Sequence, residues 1–275
     1  MNNLIIVRGG GDMATGVIHR LWSAGFNVLA LETEMPVAVR RKVAVSEAVY
    51  DGTSEVEGMT ARLIGNPSEA EAVLASGEVP VLIDPDTSCI GELKPEVVVD
   101  AIIAKRNTGL KMNMAPLTIA LGPGFTAGKD AHYVIETMRG HDLGRIIDKG
   151  RTSENTGRPG NVGGYTMERV IRAEHSGVLH VYHQIAEFVT EGEIVAVIEA
   201  PDGCHEYKAE ITGVIRGMLR DGFPIKRGVK IADIDPRKES RKNCFTISDK
   251  ARCIAGSVLE LVCRHRSRED KENER

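Results

Sequence analysis

At 275 residues the chain is long enough for one large domain or for a medium domain with a small one, and its 42% hydrophobic content supplies sizeable cores. Thirty-five Lys and Arg against 39 Asp and Glu leave a net charge of −4, which excludes a global field drawing in nucleic acid, and no apolar run is long enough to span a membrane. The start carries no secretion signal and the cysteines, Cys89, Cys204, Cys244, Cys253 and Cys263, form no C-x-x-C pair; the expectation is a cytoplasmic protein without a disulfide framework or a metal centre.

Residues 4–7 read as an apolar strand running into Gly9, Gly10 and Gly11, then into a helix whose Met13, Val17, Ile18 and Leu21 recur at helical spacing before Gly25. Gly9, Gly11 and Ala14 fit G-x-G-x-x-A, the turn in which amides at a helix start face a pyrophosphate or another anion. Residues 28–31 form a second strand that ends at Glu32, where a ribose-binding carboxylate is expected. Arg8, Gly9, Gly10, Gly11, Asp12, Ala14, Thr15 and Glu32 are the candidate ligand contacts. A tight βα turn that binds nothing has the same signature.

Further strands are predicted at 79–83, 97–103 and 117–121, and Asn66-Pro67 caps and opens a helix at 68–75. This alternation predicts a Rossmann-like parallel sheet flanked by helices, with its ligand crevice outside the carboxyl ends of the strands. Loops 84–93, 105–116 and 122–130 then share an edge with the glycine turn. Cys89 follows a strand end, where Arg40, Arg41 or Lys105 would activate its thiol; the alternative is an inert, half-buried small hydrophobe. Gly122, Gly124, Thr126 and Gly128 offer amides and a hydroxyl to an anion, or form a demanding turn. His141 is a candidate general base oriented by Asp142, and Arg40-Arg41-Lys42 a candidate anion clamp.

The glycine-rich stretch 155–164 reads as a linker or functional loop, and an internal repeat follows it. Ser176-Gly-Val-Leu aligns with Thr212-Gly-Val-Ile, Gly192 with Gly228, and Val195-Ala-Val-Ile-Glu199 with Ile231-Ala-Asp-Ile-Asp235. Two interlocked β-halves closing one small barrel are expected. Residues 176–236 resemble the barrel-sandwich fold of biotinyl and lipoyl domains, but the tip between the halves reads Pro201-Asp-Gly-Cys-His-Glu206 and lacks their modifiable lysine. Cys204 and His205 supply too few ligands for a metal. Ser248 caps a helix with Ala251, Ile254, Ala255, Val258, Leu259 and Val262 on one face, and a charged, solvated tail begins at Arg264. The expected organisation is therefore a ligand-binding α/β domain at 1–165, a β barrel-sandwich-like domain at 166–237, and a C-terminal helix with tail at 238–275.

Six stretches together, Val7-Arg-Gly-Gly-Gly-Asp-Met-Ala-Thr-Gly16, Val45-Ser-Glu-Ala-Val-Tyr-Asp-Gly52, Val99-Asp-Ala-Ile-Ile-Ala-Lys-Arg-Asn107, Ile119-Ala-Leu-Gly-Pro-Gly-Phe-Thr-Ala-Gly128, Val134-Ile-Glu-Thr-Met-Arg-Gly-His141 and Ser248-Asp-Lys-Ala251, carry a family resemblance. The chain resembles the YqeB-like accessory proteins of selenium-dependent molybdenum hydroxylases, and more distantly the XdhC-like proteins that handle sulfurated molybdenum cofactor. Family members are also fused to an XdhC-like domain that this chain is expected to lack. The resemblance implies a maturation factor whose partners are a molybdenum hydroxylase and its maturation proteins. It implies a bound molybdopterin-type cofactor or NAD(P), and Cys89 as a persulfide or selenopersulfide carrier. An NAD(P)-dependent oxidoreductase and a non-catalytic nucleotide-sensing chaperone are the alternatives, and homodimerisation is the default expectation.

Overall fold

The computed structural model describes residues 3–273, and the chain divides into two compact units. An α/β unit takes the chain up to Pro36, Ala44–Asn155 and the part from Ile247 on, whereas a β unit takes Thr156–Thr246 and the short stretch Val37–Val43. That stretch joins the β unit through hydrogen bonds: the Met218 amide donates to the Val39 carbonyl at 2.8 Å, and the Arg40 guanidinium donates to the Asn243 and Thr246 carbonyls, each at 2.9 Å.

The strands of the α/β unit are β1 (Leu4–Arg8), β2 (Asn27–Glu32), β3 (Thr53–Val56), β4 (Met59–Ile64), β5 (Val79–Ile83), β6 (Val97–Asp100), β7 (Leu117–Leu121), β8 (Tyr133–Ile135) and β9 (Ile146–Ile147). They form one sheet in the order β3-β4-β5-β2-β1-β6-β7-β8-β9, with antiparallel pairs at both edges and parallel pairs between. The helices are α1 (Asp12–Ser23), α2 (Ala48–Asp51), α3 (Ala70–Ala75), α4 (Ile90–Leu93) and α5 (Asp249–Asn273). β1 and β7 are buried along their whole length and apolar apart from Arg8 and Thr118, as central strands covered on both faces must be. Ile5, Val7, Val97, Val99, Ile119 and Leu121 point to one face, where α1 and α5 cover them, while Leu4, Ile6, Val98 and Ala120 point to the other.

The expected Rossmann-like, wholly parallel sheet is corrected by this mixed topology. Parallel strands ordinarily require helical crossovers, yet here the β6–β7 connection holds one short 3-10 turn, Met112–Met114, and the β7–β8 connection holds no helix. α5, which follows the β unit in the chain, packs on β7, β8 and α1 and covers the face those crossovers leave bare. β6 also ends at Asp100 rather than at residue 103, because the Asp100 carboxylate accepts the Ile102 amide and the backbone then turns through Ile103 at φ 58° and Lys105 at φ 62°.

Helix α5 runs beyond the predicted end at 262. Ser248 Oγ accepts the Ala251 amide at 3.2 Å at its start, and in the expected tail Arg266 pairs with Glu96 at 3.1 Å and lies 4.4 Å from the Phe26 ring centroid. Residues 1, 2, 274 and 275 lie outside the described part.

The strands of the β unit are β10 (Val170–Arg172), β11 (Gly177–Val181), β12 (Phe188–Val189), β13 (Ile194–Ala200), β14 (Gly203–Lys208), β15 (Gly213–Met218), β16 (Pro224–Ile225) and β17 (Lys230–Asp235). They form two four-stranded antiparallel sheets, β10-β17-β15-β12 and β14-β13-β11-β16, which corrects the expected barrel-sandwich with its single closed barrel. The repeat is visible in the pairing: β11 pairs with β13 as β15 pairs with β17, and each half lends a two-residue strand to the other, β12 to β15 and β16 to β11.

Candidate functional site

The glycine turn sits at the carboxyl end of β1, but much of its hydrogen-bonding capacity is spent inside the protein. The Gly9 amide donates to the Leu31 carbonyl at 2.7 Å, and the Gly10 carbonyl accepts from the Ser46 amide at 2.9 Å and the Thr15 hydroxyl at 3.1 Å. The Gly10 amide donates to Glu32 Oε1 at 2.6 Å, and the other carboxylate oxygen accepts the Thr33 amide at 2.8 Å. Glu32 thus folds back onto the turn. Burial pushes its carboxyl above the ordinary range, against the lowering pull of the Thr33 and Gly10 amides. Arg8 is buried beside Asp100 at 2.6 Å and also donates to the Thr108 carbonyl at 3.0 Å, so it ties β1 to β6 and to the following loop. Ala14 and Thr15 are fully buried; at the open side of the turn, a Cβ on Gly11 would meet nothing within 4 Å.

The loop after β7 is likewise self-satisfied. The Gly122 amide donates to Ile135, Ala127 to Gly150, Gly128 to Ala131, and Thr126 to Asp130 Oδ2 at 2.7 Å. Thr126 Oγ1 accepts Arg151 Nε at 2.9 Å, and a Cβ on Gly124 would lie 2.5 Å from the Arg106 amide, so the backbone at Lys105–Arg106 crosses directly over this glycine. Cys89 is 4% exposed, with its amide on Asp84 Oδ2 at 2.9 Å. Burial, then the Asp84 carboxylate, pushes its thiol up to about 12, opposite to what a nucleophile or sulfur carrier requires. Arg40 and Arg41, expected beside it, belong to the β unit, where Arg41 donates to the Met218 carbonyl at 3.1 Å. His141 is exposed in a turn, and its neighbour Asp142 pairs with Arg145 at 3.2 Å.

Lys250, not singled out from sequence, is the group these elements surround. It is half-buried in the first turn of α5, and among the described residues no hydrogen bond or ion pair engages its ammonium. Burial lowers its pKa first, then the Arg139 charge, with Lys105 adding to the effect while Asp12 and Glu136 oppose it. Those four groups come from the loop after β8, the loop after β6, the first turn of α1 and the end of β8, so Lys250 lies at the carboxyl edge of the sheet. Glu136 is already committed, accepting the Met138 and Ser153 amides at 2.7 Å each. Arg139 holds Asp249 in a bidentate pair at 2.9 and 3.0 Å. Gly16 touches Ala251, and Arg266 reaches Glu96 just before β6, so α1 and α5 both begin at this edge. The sequence signal for Lys250 was the Ser-Asp-Lys-Ala stretch, read as a helix start and as part of the family resemblance but not as a ligand contact.

A cavity of ≈ 1000 Å³ opens at the opposite, amino edge, lined by Asn3, Lys94, Glu96, Lys111 and Pro116 among others; its acid Glu96 is neutralised by Arg266. In the β unit, His175, Asp202 and His205 bring ligand-type atoms within 4.8 Å of one another, and Cys204 is exposed.

No family model matches the chain. It is 51% identical over 261 residues to the Escherichia coli protein named "Uncharacterized protein YqeB", covering 95% of this chain and 47% of that one. The chain thus spans about half the length of this curated relative. Among solved structures it matches the ectoine utilization protein EutE (DoeB) of Ruegeria pomeroyi at 11% identity and TM-score 0.27, covering 84% of this chain and 85% of that chain. A succinylglutamate desuccinylase/aspartoacylase of Rhodobacter sphaeroides matches at 14% identity and TM-score 0.27, with 84% and 85% covered. An aspartoacylase family protein of Mesorhizobium loti matches at 13% identity and TM-score 0.28, with 84% of both chains covered. Overlap at that level transfers neither fold nor activity.

These findings correct the functional expectation. The curated relative bears no assigned role, the solved structures bear names from ectoine utilization and acyl hydrolysis, and nothing among them supports selenium or molybdenum cofactor maturation, nicotinamide redox chemistry, nucleotide sensing or an XdhC-like link. No helix of the described residues is long and apolar enough to cross a membrane. With half of its aligned residues identical to YqeB along nearly its whole length, the chain is a YqeB-like protein.

Proposed function

We propose that the α/β unit binds a small anionic ligand, through a carboxylate or phosphate group, at the carboxyl edge of its sheet. The observation that carries this reading is Lys250, a half-buried ammonium without an ion-pair partner among the described residues, set among the cations Arg139 and Lys105 and the acids Asp12 and Glu136. A buried charge is costly unless it is paired, and a bound anion supplies the missing partner. The first turns of α1 and α5 add their partial positive charge at the same edge. Gly11 is the member of the glycine turn with open space beside it, and Lys105 is carried by a loop whose Ile103 and Lys105 hold positive φ. Strain of that kind persists where the surroundings enforce it, which includes ligand clamps. A cytoplasmic location belongs to this reading and is supported by five unpaired cysteines.

Thermal denaturation in a panel of phosphate, sulfate and small dicarboxylates, at constant ionic strength, tests it. At least one of these anions is expected to raise the melting temperature above the chloride control in a saturable way. Identical melting in every anion contradicts the reading.

A further inference from the structure

We propose that His175, Asp202 and His205 of the β unit form a binding site for one divalent transition-metal ion of the zinc class. The β13–β14 hairpin builds most of it. Its register pairs Ile198 with His205 and Glu199 with Cys204. Alternation along β14 therefore places His205 on the same face as Tyr207 and sends Cys204 to the other, with Glu199. At the tip, Gly203 adopts φ 132°, and the preceding Asp202 folds back so that its Oδ1 lies 2.9 Å from His205 Nε2. His175 arrives from the loop before β11. Its ring stacks on His205 with centroids 3.5 Å apart and 4° between the planes. Tyr207 Oη, which accepts the Glu174 and His175 amides at 2.9 and 3.1 Å, stands 3.1 Å from His175 Nδ1 and fixes that ring.

Two imidazole nitrogens and a carboxylate oxygen are the donor set that zinc, nickel and copper(II) favour, with water completing the shell. Their candidate ligand atoms lie within 4.8 Å of one another, and because an imidazole lone pair lies in its ring plane, binding one ion turns the two rings out of their parallel stack. Asp202 is exposed and both histidines are partly so, which lets an ion enter without unfolding the hairpin.

Calorimetric titration of the full chain with Zn²⁺ tests the assignment. One ion per chain is expected, bound about tenfold or more weakly by His175→Ala and by His205→Ala, with Cys204→Ser unchanged. Affinity is expected to fall steeply on acidification, because bound imidazole must be neutral. Should either histidine variant misfold by circular dichroism, Asp202→Asn at the exposed tip replaces it, with the same weakening expected. No Zn²⁺ binding, or binding equally tight in the ligand variants, overturns the proposal.

Discussion

Glu32 Oε1 lies 2.6 Å from the Gly10 amide, so the acid that ends β2 closes onto the glycine turn instead of standing clear of it. Its carboxyl is raised, chiefly by burial. A carboxyl whose folded pKa exceeds its unfolded value gains stability as pH falls through the folded value towards the unfolded one. The difference in unfolding free energy between the native chain and Glu32→Gln is therefore expected to move in favour of the native chain as pH falls from neutrality towards 4.5, the ordinary value for this group. Denaturant melts of both proteins across that range check it, and a pH-independent difference counts against the burial argument.

Gly16 and Ala251 mark where α1 and α5 meet, since a Cβ on Gly16 would lie 2.7 Å from the Ala251 methyl. Gly16→Ala is expected to force the helices apart and to destabilise the α/β unit by about 1–3 kcal/mol. Gly256, within α5, has open space around it. There the same change is expected to stabilise by about 0.5–1 kcal/mol, as alanine fits a helix interior better than glycine. Equal effects at the two positions would be inconsistent with close packing of α1 on α5.

A thiol pushed up to about 12 has almost no thiolate at pH 8, so Cys89 is expected to escape alkylation in the folded protein. Exposed Cys204, Cys253 and Cys263 are expected to be labelled first. Peptide mass mapping after brief iodoacetamide treatment decides this, and early labelling of Cys89 would restore it as a reactive group.

The sequence repeat predicts equivalent roles for Gly177 and Gly213, and the structure supplies the reason. A Cβ on Gly177 would lie 2.1 Å from the Glu199 carbonyl oxygen, and one on Gly213 would lie 2.4 Å from that of Asp235, at matching points of the two halves. Alanine at either position is expected to destabilise the β unit by similar amounts, about 1–3 kcal/mol or more. Chemical denaturation of the two variants measures it, and a large disparity would break the equivalence.

Local pattern made individual elements legible, though not the fold class: the buried run of β1, the stripe on α1 and the repeat all follow from residue spacing. Which strands run antiparallel was not legible. Edge pairs such as β3–β4 depend on long-range partners, and the missing crossover helices are replaced by α5, whose amphipathic stripe names no docking partner. The site was harder still. The glycine turn and Glu32 were visible, but their use of one another is a contact between β1 and β2 that spacing does not encode. Lys250 was visible only within a helix start and a family motif, since its place depends on α5 returning to the sheet edge. His175 and His205 lie on separate segments, so the sequence offered only the Cys204–His205 pair.

Calorimetric titration of inorganic phosphate into the native chain and into Lys250→Met tests whether Lys250 is the partner of a bound anion. Because burial already lowers its pKa, removing this charge is expected to leave the anion-free melting temperature equal or raised by about 2–4 °C, which corresponds to about 1 kcal/mol for a domain of this size. Phosphate binding is expected in the native chain and at least about tenfold weaker in the variant, a loss of about 1.4 kcal/mol. Equal phosphate binding by both proteins, or none by the native chain, would mean that Lys250 holds no anion at this edge.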